Sequence, residues 1–292
     1  MNIQQYHTNQ SLTYRTRPIL WKILILCLLL SGCSQLTPEK FYRQAQQMGL
    51  KRNVIQAGEF PLVYYSRTYM QNTPRLHLYL GGDGFPWHGI MTPSDDPSPH
   101  NPLVLRLMQQ DKTPNLYLGR PCYQGFANKA PCNYRLWTSA RYSPEIINTL
   151  IVAIKKLVKT YHVQQLTLVG YSGGGTIATL VARHIPEVTT LVTIAGGLDT
   201  SAWTTHHGYS PLSESLNPAL QPPLPAKILQ VHMQGSRDIN IPPDLSSRFL
   251  KQQTNIKLLK YPAADHTCCW QKYWPAVLEH IKKTTRNSTY NR

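Results

Sequence analysis

The stretch Gln165-Leu166-Thr167-Leu168-Val169-Gly170-Tyr171-Ser172-Gly173-Gly174-Gly175-Thr176-Ile177-Ala178 runs from an apolar, β-branched segment through a cluster of glycines into small helix-forming residues. It reads as strand, tight turn, helix, with the pattern G-x-S-x-G centred on Ser172. A serine placed there sits on a sharp strand-to-helix turn with its hydroxyl exposed. The flanking glycines let strand and helix pass closely, and the N-terminus of the helix favours developing negative charge. Two plainer uses fit the same residues, a turn that merely connects, or a glycine-rich turn that holds a phosphate as in dinucleotide-binding folds. What separates them is whether a base and an acid follow at later strand ends.

Working outward, residues 60–65 and 76–80 read as strands, and residues 115–119 as another. Ser143-Pro144-Glu145 opens a helix with an N-cap serine and a proline in the first turn, and Ile146, Leu150, Ile154 and Leu157 share one face of it. Residues 190–194, 226–233 and 256–261 are further strands, with helices over about 174–184 and from about Gln271. Residues 85–102 carry prolines, aspartates and serines without periodicity and read as a long loop. Apolar strands alternating with helices predict an α/β fold, a mostly parallel central sheet with helices on both faces. Residues 197–225 break that rhythm with several prolines, Trp203 and the pair His206-His207, and have the place of a lid-like insertion. The histidine pair reads as surface or lid residues; it is not a metal site, because two neighbouring side chains rarely hold an ion without further ligands.

A serine hydroxyl is a poor nucleophile at neutral pH and needs a base, itself oriented by an acid. Asp238 follows a strand in Gly235-Ser236-Arg237-Asp238-Ile239-Asn240-Ile241-Pro242, and His266 follows the next in Ala263-Ala264-Asp265-His266. The order is Ser, Asp, His. In this the chain resembles the α/β-hydrolase superfamily, from about Leu76 to the C-terminal helix. The resemblance implies Ser172 as nucleophile, His266 as its base and Asp238 as the orienting acid. Asp199 is the alternate acid, and Asp265 lies too close to His266. The resemblance also implies an oxyanion hole made by the N–H groups of Gly173 and, from the run Gly81-Gly82-Asp83-Gly84, of Asp83; Gly81 stands where many members carry histidine. Tyr-Leu-Gly-Gly-Asp-Gly, Arg120-Pro121-Cys122, Cys132 and Trp137-Thr138-Ser139 are similar to a group of bacterial exported and lipoprotein α/β hydrolases of unassigned substrate. The expected activity is hydrolysis of a small-molecule or lipid carboxylic ester through an acyl-enzyme, with no cofactor and no metal. A thioesterase or peptidase would use the same triad, and an inactive binding or envelope-structural protein would keep only the fold. Trp87, Trp203 and Tyr171 are candidates to line an acyl pocket.

Ahead of this domain, residues 1–32 bear Arg15, Arg17 and Lys22 and then an apolar run over 23–30 that is shorter than a membrane-spanning helix needs. Leu30-Ser31-Gly32-Cys33 resembles a bacterial lipobox, which makes Cys33 the acylated N-terminus of the processed chain. Ser34 in place of aspartate points to the outer membrane, facing the periplasm. The length of the leader leaves room for a start downstream of Met1. The expected layout is signal peptide 1–32, lipidated tether and short helix 33–50, hydrolase domain 51–284 and polar tail 285–292. The chain carries 30 Lys and Arg against 14 Asp and Glu, net +16, and +13 once the three leader cations are set aside. These charges are scattered in runs of at most two, which fits solubility or an anionic envelope better than nucleic acid. With Cys27 lost in the leader and Cys33 acylated, Cys122, Cys132, Cys268 and Cys269 remain, and export favours disulfides over a zinc site. Cys122 with Cys132 is the expected pair, leaving Cys268 and Cys269 as thiols or a vicinal bridge; cross-pairing is the alternative. Nothing in the sequence sets the oligomeric state.

Overall fold

The computed structural model describes residues 38–290 apart from 68–69, 71 and 90. The leader, Cys27, Cys33 and the start of the tether lie outside the described residues. Ten strands are described: β1 (Lys51–Ala57), β2 (Phe60–Ser66), β3 (Arg75–Leu80), β4 (Trp87–His88), β5 (Thr92–Pro93), β6 (Asn115–Leu118), β7 (Gln165–Tyr171), β8 (Val188–Ile194), β9 (Leu229–Gly235) and β10 (Ile256–Tyr261). Eight of them form one sheet in the order β1-β2-β6-β3-β7-β8-β9-β10. β1 and β2 form an antiparallel hairpin, β2 is antiparallel to β6, and every pairing from β6 to β10 is parallel.

The helices are α1 (Pro38–Gln47), α2 (Leu103–Gln110), α3 (Pro144–Thr160), α4 (Gly173–Ala182), α5 (Thr200–His207), α6 (Ser247–Gln252) and α7 (Trp270–Tyr290). α3 begins where Ser143 Oγ accepts from the Ile146 N–H at 3.3 Å, with Pro144 in its first turn. Its apolar stripe, including Ile146, Leu150, Ile154 and Leu157, is buried with α4 against one face of the sheet. On the other face Phe41, Leu105, Leu107, Trp270, Trp274 and Val277 form a second core from α1, α2 and α7. β7 lies at the centre and is buried from Leu166 to Gly170, as a strand covered on both faces must be.

Several elements differ from the sequence expectation. β1 was not anticipated, because Lys51, Arg52 and Asn53 mask its alternation and it is half-solvated at the sheet edge. Within 85–102, Trp87–His88 and Thr92–Pro93 pair as a short hairpin, although the rest of the segment has no regular structure. α2 follows directly on that segment. Downstream, the backbone of residues 285–290 continues α7 to Tyr290. Among the described residues no helix is long and apolar enough to cross a membrane.

The strand order reverses at β3, which has β6 on one side and β7 on the other. Connections leaving β3 and β7 therefore diverge and open a crevice at their C-terminal ends, where ligands bind in open α/β sheets. Gly81 and Ser172 lie at these two strand ends.

Candidate active site

Ser172 stands between β7 and α4 with φ 53° and ψ −125°, a conformation that costs a residue with a Cβ on the order of 1–3 kcal/mol. The turn is closed by the Ser172 N–H donating to Ile194 O (2.9 Å) and the Gly175 N–H donating to Ser172 O (2.8 Å). Glycine is required around it for contact reasons. A Cβ on Gly170 would overlap Gly174 O, and one on Gly174 would overlap Leu80 O, so the close passage of β3, β7 and α4 depends on both.

The other two residues arrive on loops tied to each other. The Ser236 N–H donates to Tyr261 O and the Arg237 N–H to Ala264 O, both at 3.0 Å, which joins the turn after β9 to the loop after β10. Asp238 is almost fully buried; its Oδ1 accepts from the N–H groups of Asn240 (2.9 Å) and Ile241 (2.8 Å), leaving Oδ2 free to face His266. His266 Nδ1 lies 2.9 Å from Asp238 Oδ2, and its Nε2 lies 3.0 Å from Ser172 Oγ. A carboxylate can only accept, so Nδ1 carries the proton and Nε2 is the acceptor for the serine hydroxyl. The backbone beneath the ring is held as well. His266 O accepts from Tyr171 OH (3.0 Å) and Trp270 Nε1–H (2.9 Å), and the Tyr171 ring lies 5.3 Å from the imidazole. Asp265 turns away and accepts from the N–H groups of Thr267 and Cys268, which lowers its pKa.

Asp199 is not near His266. It caps α5 through the Ala202 N–H (3.1 Å) and pairs with Asn217 and Arg248, so of the two candidate acids only Asp238 meets the imidazole. The segment 197–225 contains α5 and a 3₁₀ turn, Pro218–Leu220. Glu214 pairs with Arg135, and the Leu216 N–H donates to Tyr142 O, while Trp203 Nε1–H (3.1 Å) and His207 Nε2 (2.8 Å) meet Asn240 O in the turn after Asp238. Trp87 is part exposed on its hairpin. Among the described residues no group of three His, Cys, Asp or Glu side chains could hold a metal ion. A cavity of about 340 Å³ opens at the opposite end of the sheet, between Arg75, His77, Asp111 and Lys282, and contains none of the candidate residues.

Gly82 abuts the nucleophile: a Cβ on it would sit 3.3 Å from Ser172 Cβ. At Gly81 a Cβ would meet Tyr117 OH at 2.9 Å, so the tyrosine crowds any side chain at that position. Cys122 is bonded to Cys132, and Cys268 to Cys269 directly after the histidine loop.

Comparison with solved structures returns this same architecture. An esterase from Pyrococcus furiosus superposes with a TM-score of 0.60 at 14% identity, over 82% of this chain and 92% of that one. The chain is an α/β hydrolase by fold. A membrane phospholipase A described as a novel bacterial virulence factor gives 0.54 at 15% identity, over 93% and 98% of the two chains. Est1E from Butyrivibrio proteoclasticus gives 0.53 at 15%, over 80% and 99%. Residues 142–215 of this chain match the family model described as alpha/beta hydrolase of unknown function (DUF915). No curated protein matches the chain.

Within the hydrolase fold, sequence reasoning missed the surroundings of Asp83. Its carboxylate accepts from Arg120 Nη2 (2.6 Å), Arg141 Nη1 (3.0 Å) and Tyr142 OH (2.7 and 2.8 Å to its two oxygens), and its carbonyl accepts from Tyr123 OH (3.0 Å). Burial alone would raise the Asp83 pKa, but the two guanidinium groups outweigh it and bring the value down to about 2. Burial would likewise lower both arginines; their proximity to Asp83 raises them instead. The signal in the sequence was thin, two arginines on either side of a cysteine-bounded loop, with nothing to pair Arg141 with a residue 58 positions earlier.

Proposed function

We propose that this protein is a serine hydrolase that cleaves carboxylic esters through an acyl-enzyme formed on Ser172. The observation that carries the proposal is the unbroken line from Asp238 Oδ2 through the imidazole of His266 to Ser172 Oγ, with steps of 2.9 and 3.0 Å. In the acylation step His266 Nε2 removes the hydroxyl proton as Oγ bonds to the ester carbonyl carbon. The imidazolium formed is stabilised by Asp238 and gives that proton to the departing alkoxide. Water then enters, loses a proton to Nε2 and attacks the acyl carbon. The acyl carbon–Oγ bond then breaks as Nε2 returns the proton to Oγ, which releases the carboxylic acid and restores the serine. During both steps the carbonyl oxygen becomes an oxyanion, for which the N–H of Gly173 at the start of α4 and the N–H of Asp83 are the proposed donors.

The esterase and phospholipase likenesses favour esters as the substrate class. In keeping with the lipobox-like Leu30-Ser31-Gly32-Cys33, the enzyme is acylated at Cys33 and held in the bacterial envelope, at the outer membrane facing the periplasm. Incorporation of labelled palmitate into the wild type and its loss in Cys33→Ser test the anchor. For the activity, turnover of p-nitrophenyl butyrate is expected for wild type and at least about 10³-fold less for Ser172→Ala and for His266→Ala. Equal turnover by wild type and Ser172→Ala contradicts the assignment.

A further inference from the structure

Asp83 lies in the loop proposed to supply the second oxyanion donor, yet its side chain is an ionised carboxylate placed against the nucleophile turn. A Cβ on Gly173 would overlap Asp83 Oδ1 and come within 2.5 Å of Tyr142 OH. A lone negative charge there would oppose formation of an oxyanion a few ångströms away. It is not alone, because Arg120 and Arg141, whose side chains are 5% and 7% exposed, surround it. Two guanidinium charges against one carboxylate leave the cluster with one unit of positive charge.

All four clamping side chains come from residues 119–142, the connection between β6 and α3, whose first part is closed by the Cys122–Cys132 bond. Arg120 is further confined by the rings of Tyr123 and Tyr142, each centred 5.6 Å from its guanidinium carbon. Tyr142 OH bonds to both carboxylate oxygens, and Tyr123 OH holds the Asp83 carbonyl. The main chain at 83 is therefore fixed from two sides, by its own carbonyl and through its side chain. Next to it, Gly84 has φ 68° and its Cβ position is filled by Pro97 O, so the loop is also fixed downstream.

We propose that Arg120, Arg141 and Tyr142 are positioning residues for catalysis. They hold Asp83 ionised and oriented so that its main-chain N–H faces the oxyanion site, and they make the net charge beside that site positive. The role rests on the serine-hydrolase reading and goes beyond it, since the reading alone requires only the triad and two N–H donors.

The test is steady-state hydrolysis of p-nitrophenyl butyrate by the full chain, wild type against Tyr142→Phe, Arg141→Lys and Asp83→Asn. Each rate is expressed per serine titrated by a fluorophosphonate, so that loss of folded enzyme does not register as loss of kcat. Removal of an oxyanion donor costs on the order of 10²–10³ in kcat, so a displaced one is expected to cost about 10-fold in Tyr142→Phe and Arg141→Lys and more in Asp83→Asn, with KM within about threefold of wild type. Asp83→Asn leaves two buried guanidinium groups facing a neutral amide and could fail to fold; Tyr142→Phe, which keeps every charge, then decides. Wild-type kcat in folded Tyr142→Phe and Arg141→Lys overturns the positioning role and leaves the hydrolase reading standing. A rise in KM with kcat unchanged also overturns it, assigning the cluster to substrate binding. A wild type that neither labels nor turns over the ester overturns the hydrolase reading itself, and the positioning role with it.

Discussion

His232 sets a pH dependence of stability that can be worked out from its surroundings. It lies on β9 and is 1% exposed, with Nδ1 2.8 Å from Thr193 Oγ1 and Nε2 3.3 Å from Gln230 Oε1. Burial pushes its pKa down to about 4 from an ordinary 6.5. An unfolded chain takes up the proton as pH falls through 6.5, whereas the folded chain resists until about 4, so in this window the unfolded state binds more protons. Stability contributed by this group is therefore full above 6.5, falls as pH is lowered, and levels off below about 4. At about 1.4 kcal/mol per pKa unit the full shift corresponds to about 3 kcal/mol, of which about 2 kcal/mol is lost between about pH 7 and about pH 4.5. Urea denaturation at those two pH values, with disulfides intact, measures it. The variant His232→Gln is expected to be less stable at neutral pH but to lose about 2 kcal/mol less than wild type on acidification. His184, whose pKa is also lowered, is common to both proteins and cancels in the comparison. Identical acid losses in the two proteins would refute the argument from burial. The contribution of Asp83 is separate in pH: its carboxylate favours folding above 3.8, and that is lost as pH falls toward about 2.

Other consequences are cheaper to check. Ser172→Gly relieves a backbone conformation costing about 1–3 kcal/mol and adds a glycine entropy cost of about 0.5–1 kcal/mol, so thermal denaturation is expected to show an inactive protein more stable by about 1 kcal/mol. Gly173→Ala forces its methyl into Asp83 Oδ1 and is expected to lower ester turnover about 10²-fold, read by the same assay. Asp238→Asn is expected to cost about 10⁴ in kcat by favouring the wrong imidazole tautomer, whereas Asp199→Ala, at the α5 cap, is expected to cost about 1 kcal/mol of stability and little activity. Thiol titration of unfolded protein before and after reduction is expected to differ by four thiols, those of Cys122, Cys132, Cys268 and Cys269.

The centre of the sheet was legible because burial on both faces leaves apolar, β-branched runs such as Leu166-Thr167-Leu168-Val169, and because each such run ends in residues whose chemistry requires a turn. Ser172, Asp238 and His266 each follow one of these strands, and the structure brings the three together. The edge was less legible: Lys51–Ala57 is half-solvated, and its pairing with Phe60–Ser66 supplies order that its composition does not advertise. α2 escaped notice for a different reason. Its residues Leu103, Val104, Leu105, Leu107 and Met108 form nearly one apolar run, which period alone does not assign to helix or strand. The clamp on Asp83 is the deepest omission, since an aspartate in a glycine loop reads as a turn residue until Arg120 and Arg141 are seen to converge on it from 37 and 58 residues away.

The most direct measurement of the central claim is covalent labelling of the protein by a fluorophosphonate, with the modified peptide located by mass spectrometry. A serine activated by His266 is expected to react with stoichiometric capture at Ser172, abolished in Ser172→Ala and strongly slowed in His266→Ala. A well-folded wild type that stays unlabelled, or a label found on any other serine, contradicts the assignment of Ser172, His266 and Asp238 as a catalytic triad.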